Sequence, residues 1–171
     1  MKHTMSETRV SRQQNISRMC FVCGTDNPFG LHARFLELED GRLCAEFEAQ
    51  DHHQGYPDRM HGGIISSILD EMIGRTIQIA YPEIFGVTVE LNVHFRRPVP
   101  LHTPIRAVAE IISHKGRQFT GEGKLLLEDG TVAADATARY LHVDTAKIVD
   151  GGLDNVNWYP DERESPQSVI V

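Results

Sequence analysis

The sequence predicts an α+β fold in two layers, a curved antiparallel sheet of about six strands wrapped around one long central helix. Three observations carry that expectation. Only residues 61–81 place apolar side chains at helical spacing, with Ile65, Ile68, Leu69, Met72, Ile73 and Ala80 in register. The other apolar runs are short, and the clearest alternates with period two, as a half-buried strand does. The triplet Glu-Asp-Gly occurs at 39–41 and again at 128–130, each time between two such runs, where glycine accepts the positive φ of a tight turn. One helix has too little surface to cover so many strands on both faces, so the sheet must curl around it.

Residues 1–18 are polar with scattered arginines and read as a flexible leader. Segments 33–38 and 43–48 flank the first turn as a hairpin. The helix starts at His61-Gly62-Gly63 and ends near Tyr81-Pro82, because proline disfavours helical geometry in the residue before it. From there Val87, Val89, Leu91, Val93 and Phe95 alternate with Thr88, Glu90, Asn92, His94 and Arg96 on opposite faces of a strand. Pro98 and Pro100 close it, and three more strands follow at roughly 105–112, 117–127 and 131–143. Beyond this domain of residues 19–143, the stretch 144–171 is acidic, holds Gly151-Gly152, Pro160 and Pro166, and reads as an irregular C-terminal tail.

With 171 residues at 40% hydrophobic composition, the chain can build one real core. A formal net charge of −7 argues against nucleic acid as the main partner. No apolar run approaches the ~20 residues of a membrane span, the best being broken by Asp70, Glu71 and Arg75. The leader lacks an apolar signal segment, and three cysteines fit a reducing compartment, so a cytoplasmic location is expected.

Residues 61–71 concentrate the chemistry. Free N–H groups at a helix start bind developing negative charge. A carboxylate among isoleucines is costly unless it is paired or used. Gly63, Ser67, Asp70 and Gly74 fall at i, i+4, i+7 and i+11 and share one helix face. That stripe either admits another backbone or lines a substrate channel with Asp70 as its reactive group, and an aspartate is a poor choice for packing alone. Glu71 points elsewhere, toward solvent or a cation. Gly62 and Asp70 are separated by eight residues, roughly 12 Å of helix, too far for one carbonyl carbon to meet both. Two antiparallel copies of the helix across a dimer bring them together.

Other constellations are weaker. Asp51-His52-His53 with Asp58 and His61 offers metal-ligand types without helical His-Xaa3-His spacing, and no metal is expected. Cys20-Xaa2-Cys23 is half of a zinc site, with loop packing, redox chemistry and zinc as its alternatives. Cys44 reads as a core strand residue. There is no phosphate loop, nucleophile elbow or dinucleotide fingerprint.

Cys20-Phe21-Val22-Cys23-Gly24, Asn27-Pro28-Phe29-Gly30-Leu31, Gly55-Tyr56-Pro57, His61-Gly62-Gly63, Leu69-Asp70-Glu71 and Phe95-Arg96-Arg97-Pro98 together resemble the hotdog-fold acyl-CoA thioesterases of the PaaI-like group. The likeness covers about residues 20–143. It implies an antiparallel sheet wrapped around one helix, dimers joined edge to edge, and tetramers built from them. It puts the acidic catalyst on Asp70, the oxyanion donor on the backbone N–H of Gly62 with Gly63 beside it, and the shaping of the turn on His61. The hydroxyl residue after the helix falls on Thr88, eighteen residues past Asp70. In the family the helix start and the acid come from different subunits. Many members carry Asn six residues before the His; here Gly55 stands there, and Gln54 offers the nearest amide.

The implied function is hydrolysis of a small to medium or aryl acyl-CoA to free acid and CoA. A thioester has weak resonance and a good thiolate leaving group, so helix-start N–H groups and one carboxylate suffice without metal or cofactor, CoA being part of the substrate. Gly63, Gln54 and Ser67 are candidate substrate contacts, and Arg96 and Arg97, with Lys115 and Arg117, are candidates for the CoA phosphates. The alternative is a non-catalytic acyl-CoA or ligand-binding protein on the same scaffold. Expected partners are the substrate and further copies of the chain, with no nucleic acid and no membrane.

Overall fold

The structure is a computed structural model that describes residues 1–143, 147, 149, 150 and 158–171. Its strands are β1 (Glu7–Gln13), β2 (Ile16–Ser17), β3 (Arg34–Leu38), β4 (Leu43–Glu48), β5 (Gly86–Phe95), β6 (Pro104–Lys115), β7 (Gln118–Leu126), β8 (Val132–His142), β9 (Trp158–Tyr159) and β10 (Ser168–Ile170). Helix α1 (Gly62–Arg75) lies between β4 and β5 in the chain. Among the described residues, eight strands form one antiparallel sheet in the order β10-β1-β3-β4-β6-β7-β8-β5, and β2 pairs with β9 apart from it. Both predicted turns are present. Gly41 has φ 87° and Gly130 has φ 77°, and Asp40 and Asp129 accept from the backbone two residues on.

α1 buries Ile65, Ile68, Leu69, Met72 and Ile73 against the sheet. Burial of each such side chain stabilises by about 1.5–3 kcal/mol. The facing strands offer a floor of small residues, including Ala107, Ala109, Gly121, Gly123, Ala134, Ala136 and Ala138. A Cβ on Gly121 would stand 2.7 Å from Ile73 Cγ2, so the close approach of helix to sheet depends on that glycine. The predicted helical run 61–81 divides into α1 and a 3-10 turn at Thr76–Ile79, where the Thr76 hydroxyl donates to Ile73 O at 2.6 Å.

The sheet is wider than the expected six strands. Residues 1–18 were expected to be a flexible leader, yet β1 pairs with β3 on one side and β10 on the other. Main-chain hydrogen bonds hold this polar strand, and Arg12 adds an ion pair to Glu37 at 2.5 Å. The opposite sheet face carries a second core of Leu36, Leu38, Cys44, Val108, Leu126 and Val132, closed by Val169 and Val171. The tail is therefore part of the sheet at 168–170, while Gly151-Gly152 lies outside the described residues.

β5 departs from strict alternation. Thr88 pairs with Tyr140 and Glu90 with Arg139, so Val89 is an inserted bulge residue. Residues opposite one another across an antiparallel pair share a face. Thr88, Leu91, Val93 and Phe95 thus lie opposite Tyr140, Ala138, Ala136 and Ala134, the row that faces α1. Thr88 was expected on the polar side with Glu90 and Asn92. The bulge turns it inward.

Candidate active site

Asp70, two and a half turns into α1, meets that inward-turned hydroxyl. Thr88 Oγ1 donates to Asp70 Oδ1 at 2.9 Å. The Tyr140 hydroxyl lies 3.0 Å from the same oxygen and 2.8 Å from Asp70 O, sharing its proton between them. Both donors converge on Oδ1, and Oδ2 has no partner among the described residues. Burial raises the Asp70 pKa; the bonds from Thr88 and Tyr140 oppose that, and the Glu71 charge adds to it, leaving the net shift upward. Burial and the Asp70 charge push the Tyr140 phenol up as well, so it remains a donor.

Tyr140 was not anticipated, although it ends a row of inward-facing alanines on β8, where a bulky polar-tipped residue is out of character. Gly74 makes room for it: a Cβ there would be 3.0 Å from Tyr140 Cε1. Phe119 stacks on the ring at a centroid distance of 5.0 Å and 12° between planes. On the predicted stripe, Gly74 and Asp70 therefore face Tyr140, while the Ser67 hydroxyl donates back to Gly63 O at 2.9 Å. Glu71 points away and pairs with Arg75 at 2.7 Å. A cavity of about 120 Å³ opens beside Asp70, bounded by Gly74, Gly86, Thr88 and Tyr140.

At the other end of the motif, His61 is the N-cap of α1, with φ −66° and ψ 138°, and its Nδ1 accepts from Gly63 N at 2.9 Å. The Gly63 N–H, expected as a second oxyanion donor, is consumed by this cap. Ile64 and Ile65 N–H groups both go to His61 O. Gly62 N–H has no partner among the described residues. His61 is pinned by its own N–H to His53 O at 2.9 Å, and Gly55 lets it in: a Cβ at 55 would sit 3.1 Å from His61 Cα. Gln54 Oε1 accepts from Asp58 N at 2.9 Å, and its amide N–H groups have no partner among the described residues. Both ring nitrogens of His53 are taken, by Gln50 N and Phe29 O, so His53 itself offers no free ligand atom.

The Phe95 ring covers the helix start, 3.5 Å from where a Gly62 Cβ would be. Arg96 and Arg97 follow directly. Arg96 is ion-paired to Asp135, and Arg97 Nη1 donates to Arg96 O at 3.0 Å. Arg117 is spent on His142 O, near the Gly86 end of β5. One chain thus holds Gly62 and Asp70 on the same unbroken helix, roughly 12 Å apart, at opposite ends of β5. β5 is also the outer strand of the sheet, with Val87, Val89 and Phe95 exposed.

A single helix laid on an antiparallel sheet, with a capped Gly-Gly helix start and a carboxylate further along, defines a hotdog-fold protein. Residues 58–134 match the family model of the Thioesterase superfamily. It is similar to acyl-coenzyme A thioesterase THEM4 of Mus musculus, with 27% identity over 117 residues, 68% of this chain and 50% of that protein. THEM4 of Bos taurus is 25% identical over 145 residues, 84% of this chain and 57% of that protein. The chain spans about half the length of the curated relatives it matches. Among solved structures, the thioesterase superfamily protein RHA08564 aligns with a TM-score of 0.67 at 26% identity, covering 72% of this chain and 63% of its own. A Bacillus halodurans protein solved with CoA aligns at 0.60 and 28%, covering 66% and 75%. The E. coli PaaI protein, 12% identical with a TM-score of 0.60 over 66% of this chain and 80% of its own, shares the fold.

Proposed function

We propose that the chain is an acyl-CoA thioesterase that hydrolyses small to medium or aryl acyl-CoA thioesters in a site shared across a homodimer. The observation that carries this reading is the Asp70 carboxylate, with Oδ1 fixed by Thr88 and Tyr140 and Oδ2 left open. The thioester oxygen accepts from Gly62 N–H of one subunit. Oδ2 of the partner subunit's Asp70 takes a proton from water as the water attacks the carbonyl carbon. The tetrahedral intermediate collapses, CoA leaves as thiolate, and the proton passes to it. An upward-shifted carboxylate suits this work, because a general base is most effective with a pKa nearer the working pH. No metal or cofactor enters the scheme.

β5 supports the dimer. Its outer edge offers unpaired backbone groups, and a twofold axis through it pairs β5 with its mate antiparallel. The Thr88 end of one copy then lies beside the Phe95 end of the other, which brings each Asp70 toward the partner's helix start. This reading assigns Arg96 and Arg97, next to Phe95, to the CoA phosphates, and gives Gln54 the place of the absent Asn as an amide donor. In this reading Gly63 and Ser67 remain substrate contacts, His61 shapes the turn, and two such dimers can pair into a tetramer. The compartment this reading assumes is the cytoplasm; among the described residues no helix is long and apolar enough to cross a membrane.

The test is release of free thiol from a panel of acyl-CoAs by the wild type and by Asp70→Asn. Asparagine can still accept from Thr88 and Tyr140 but cannot take a proton. Turnover that falls by about 10²–10⁴-fold in the variant supports the reading. Ligand binding with no turnover of any panel member by the wild type overturns it in favour of a non-catalytic acyl-CoA binder.

A further inference from the structure

Beneath the C-terminal turn of α1 lies a group of reactive side chains that thioester hydrolysis does not use. Cys20 and Cys23 are both free thiols, Cys20 half-buried and Cys23 fully buried. Their sulfurs and a Glu71 carboxylate oxygen lie within 4.8 Å of one another. The N–H groups of Val22 and Cys23 point at Cys20 Sγ, at 3.3 and 3.5 Å. Cys23 Sγ accepts from Arg75 Nη2 at 3.0 Å and from Ser17 N at 3.5 Å. The loop is a tight turn in which Gly24 N donates to Cys20 O at 2.9 Å. A Cβ on Gly24 would come 2.3 Å from Arg18 O, so only glycine closes it.

A zinc reading fails on Arg75. Its buried guanidinium lies over the rings of Phe35 and Trp158, at 4.3 and 4.7 Å, and already holds Cys23 Sγ and Glu71 Oε1. A divalent cation between those ligands would face the fixed, buried positive charge of Arg75. The same arrangement favours a pair of sulfurs that differ in role. The Cys23 thiol and two backbone N–H groups lower the Cys20 pKa against burial and the Glu71 charge, while sharing that proton and burial push Cys23 up against the pull of Arg75. Cys20 is the sulfur with access to solvent. Cys44, in the second core, is pushed up to about 12 by burial and serves as an internal control.

We propose that Cys20 and Cys23 form a redox-active dithiol that closes reversibly to a disulfide on meeting a hydroperoxide, with Cys20 as the attacking sulfur and Cys23 as the resolving one. The Cys20 thiolate attacks the O–O bond, takes one oxygen as sulfenic acid and releases the other as hydroxide, which picks up a proton. Cys23 sulfur then bonds to Cys20 sulfur, and the sulfenic oxygen departs with the Cys23 proton as water. Two thiols lose two electrons, and the peroxide gains them. The reaction is independent of thioester hydrolysis.

The experiment treats the reduced full chain with hydrogen peroxide and maps the products by mass spectrometry without reductant. The expected product is about 2 Da lighter, with Cys20 linked to Cys23, Cys44 still free, and the change reversed by dithiothreitol. Cys23→Ser is expected to stop at a Cys20 sulfenic acid that dimedone traps, and Cys20→Ser to leave Cys23 unoxidised. Should either serine variant fail to fold, disulfide formation and thiol labelling in the wild type decide between the outcomes. At pH 7, iodoacetamide should label Cys20 at least ~10-fold faster than Cys44. Cys20 labelled no faster than Cys44, with no disulfide formed, overturns the proposal. So does one zinc ion per chain that shields both thiols from labelling.

Discussion

Replacing Gly62 by proline should remove one hydrogen-bond donor and little else. Gly62 is the first residue of α1, where proline's fixed φ suits the helix and its missing N–H costs the helical ladder nothing. His61 already has the extended geometry that a residue before proline requires, with φ −66° and ψ 138°. A Cβ at position 62 meets nothing closer than the Phe95 ring at 3.5 Å, an ordinary contact. Stability should therefore hold or rise, by up to about 0.4–1 kcal/mol from the stiffer unfolded chain. Catalysis should not hold. With the Gly63 N–H engaged by His61 Nδ1, Gly62 is the helix-start donor left for an oxyanion. Losing such a donor costs about 2.7–4 kcal/mol of barrier, or roughly 10²–10³ in kcat. Steady-state thiol release on the best acyl-CoA substrate, beside a urea melt, measures both. Gly62→Ala, which keeps the N–H, is the control and should stay within a few-fold of wild type. Undiminished kcat in the proline variant would refute the assignment of Gly62.

Tyr140→Phe removes a hydrogen bond to a charged group, usually worth about 1.5–3 kcal/mol, but the proton is shared with Asp70 O, so a loss of about 1–2 kcal/mol is expected near pH 7 by urea denaturation. It also removes an interaction that lowers the Asp70 pKa, so the acid limb of kcat/KM should move to higher pH; an unmoved limb contradicts the role given to Tyr140. Because burial raises the Asp70 pKa in the folded state, its contribution to stability is present below the unfolded value of about 3.9 and is lost as pH rises through the folded value. Asp70→Asn should lack that loss and gain on the wild type in urea midpoint as the pH rises above about 4. Gly121→Ala drives a methyl to 2.7 Å from Ile73 Cγ2 and 2.8 Å from Glu110 O, so thermal melts should show a loss of about 1–3 kcal/mol, with the oligomeric state unchanged.

Much of this was legible in the chain because the signals were local. The alternation from Val87 to Phe95, the Asp-Gly turns and the apolar spacing of α1 each report on a few consecutive residues. Asp70 stood out because a carboxylate in an apolar helix conflicts with burial. What escaped depends on register between distant strands. The bulge at Val89 leaves no mark on hydrophobicity, yet it decides that Thr88 lies on the helix-facing side, within reach of Asp70. Tyr140 becomes a partner of Asp70 only once β8 lies opposite β5. β1 is polar because its partners are backbone groups on two sides, which composition does not reveal. The His61 ring that consumes the Gly63 N–H was visible as a residue, and its rotamer was not.

In the proposed dimer each site joins Gly62 of one subunit to Asp70 of the other. Mixing Gly62→Pro with Asp70→Asn chains, each inactive alone, tests it directly. If sites are shared, half of a statistical mixture is mixed dimers, and in each one site inherits both intact residues, so about a quarter of wild-type activity should return. If Gly62 and Asp70 act within one chain, every site lacks one of them, and the mixture stays as inactive as its parents.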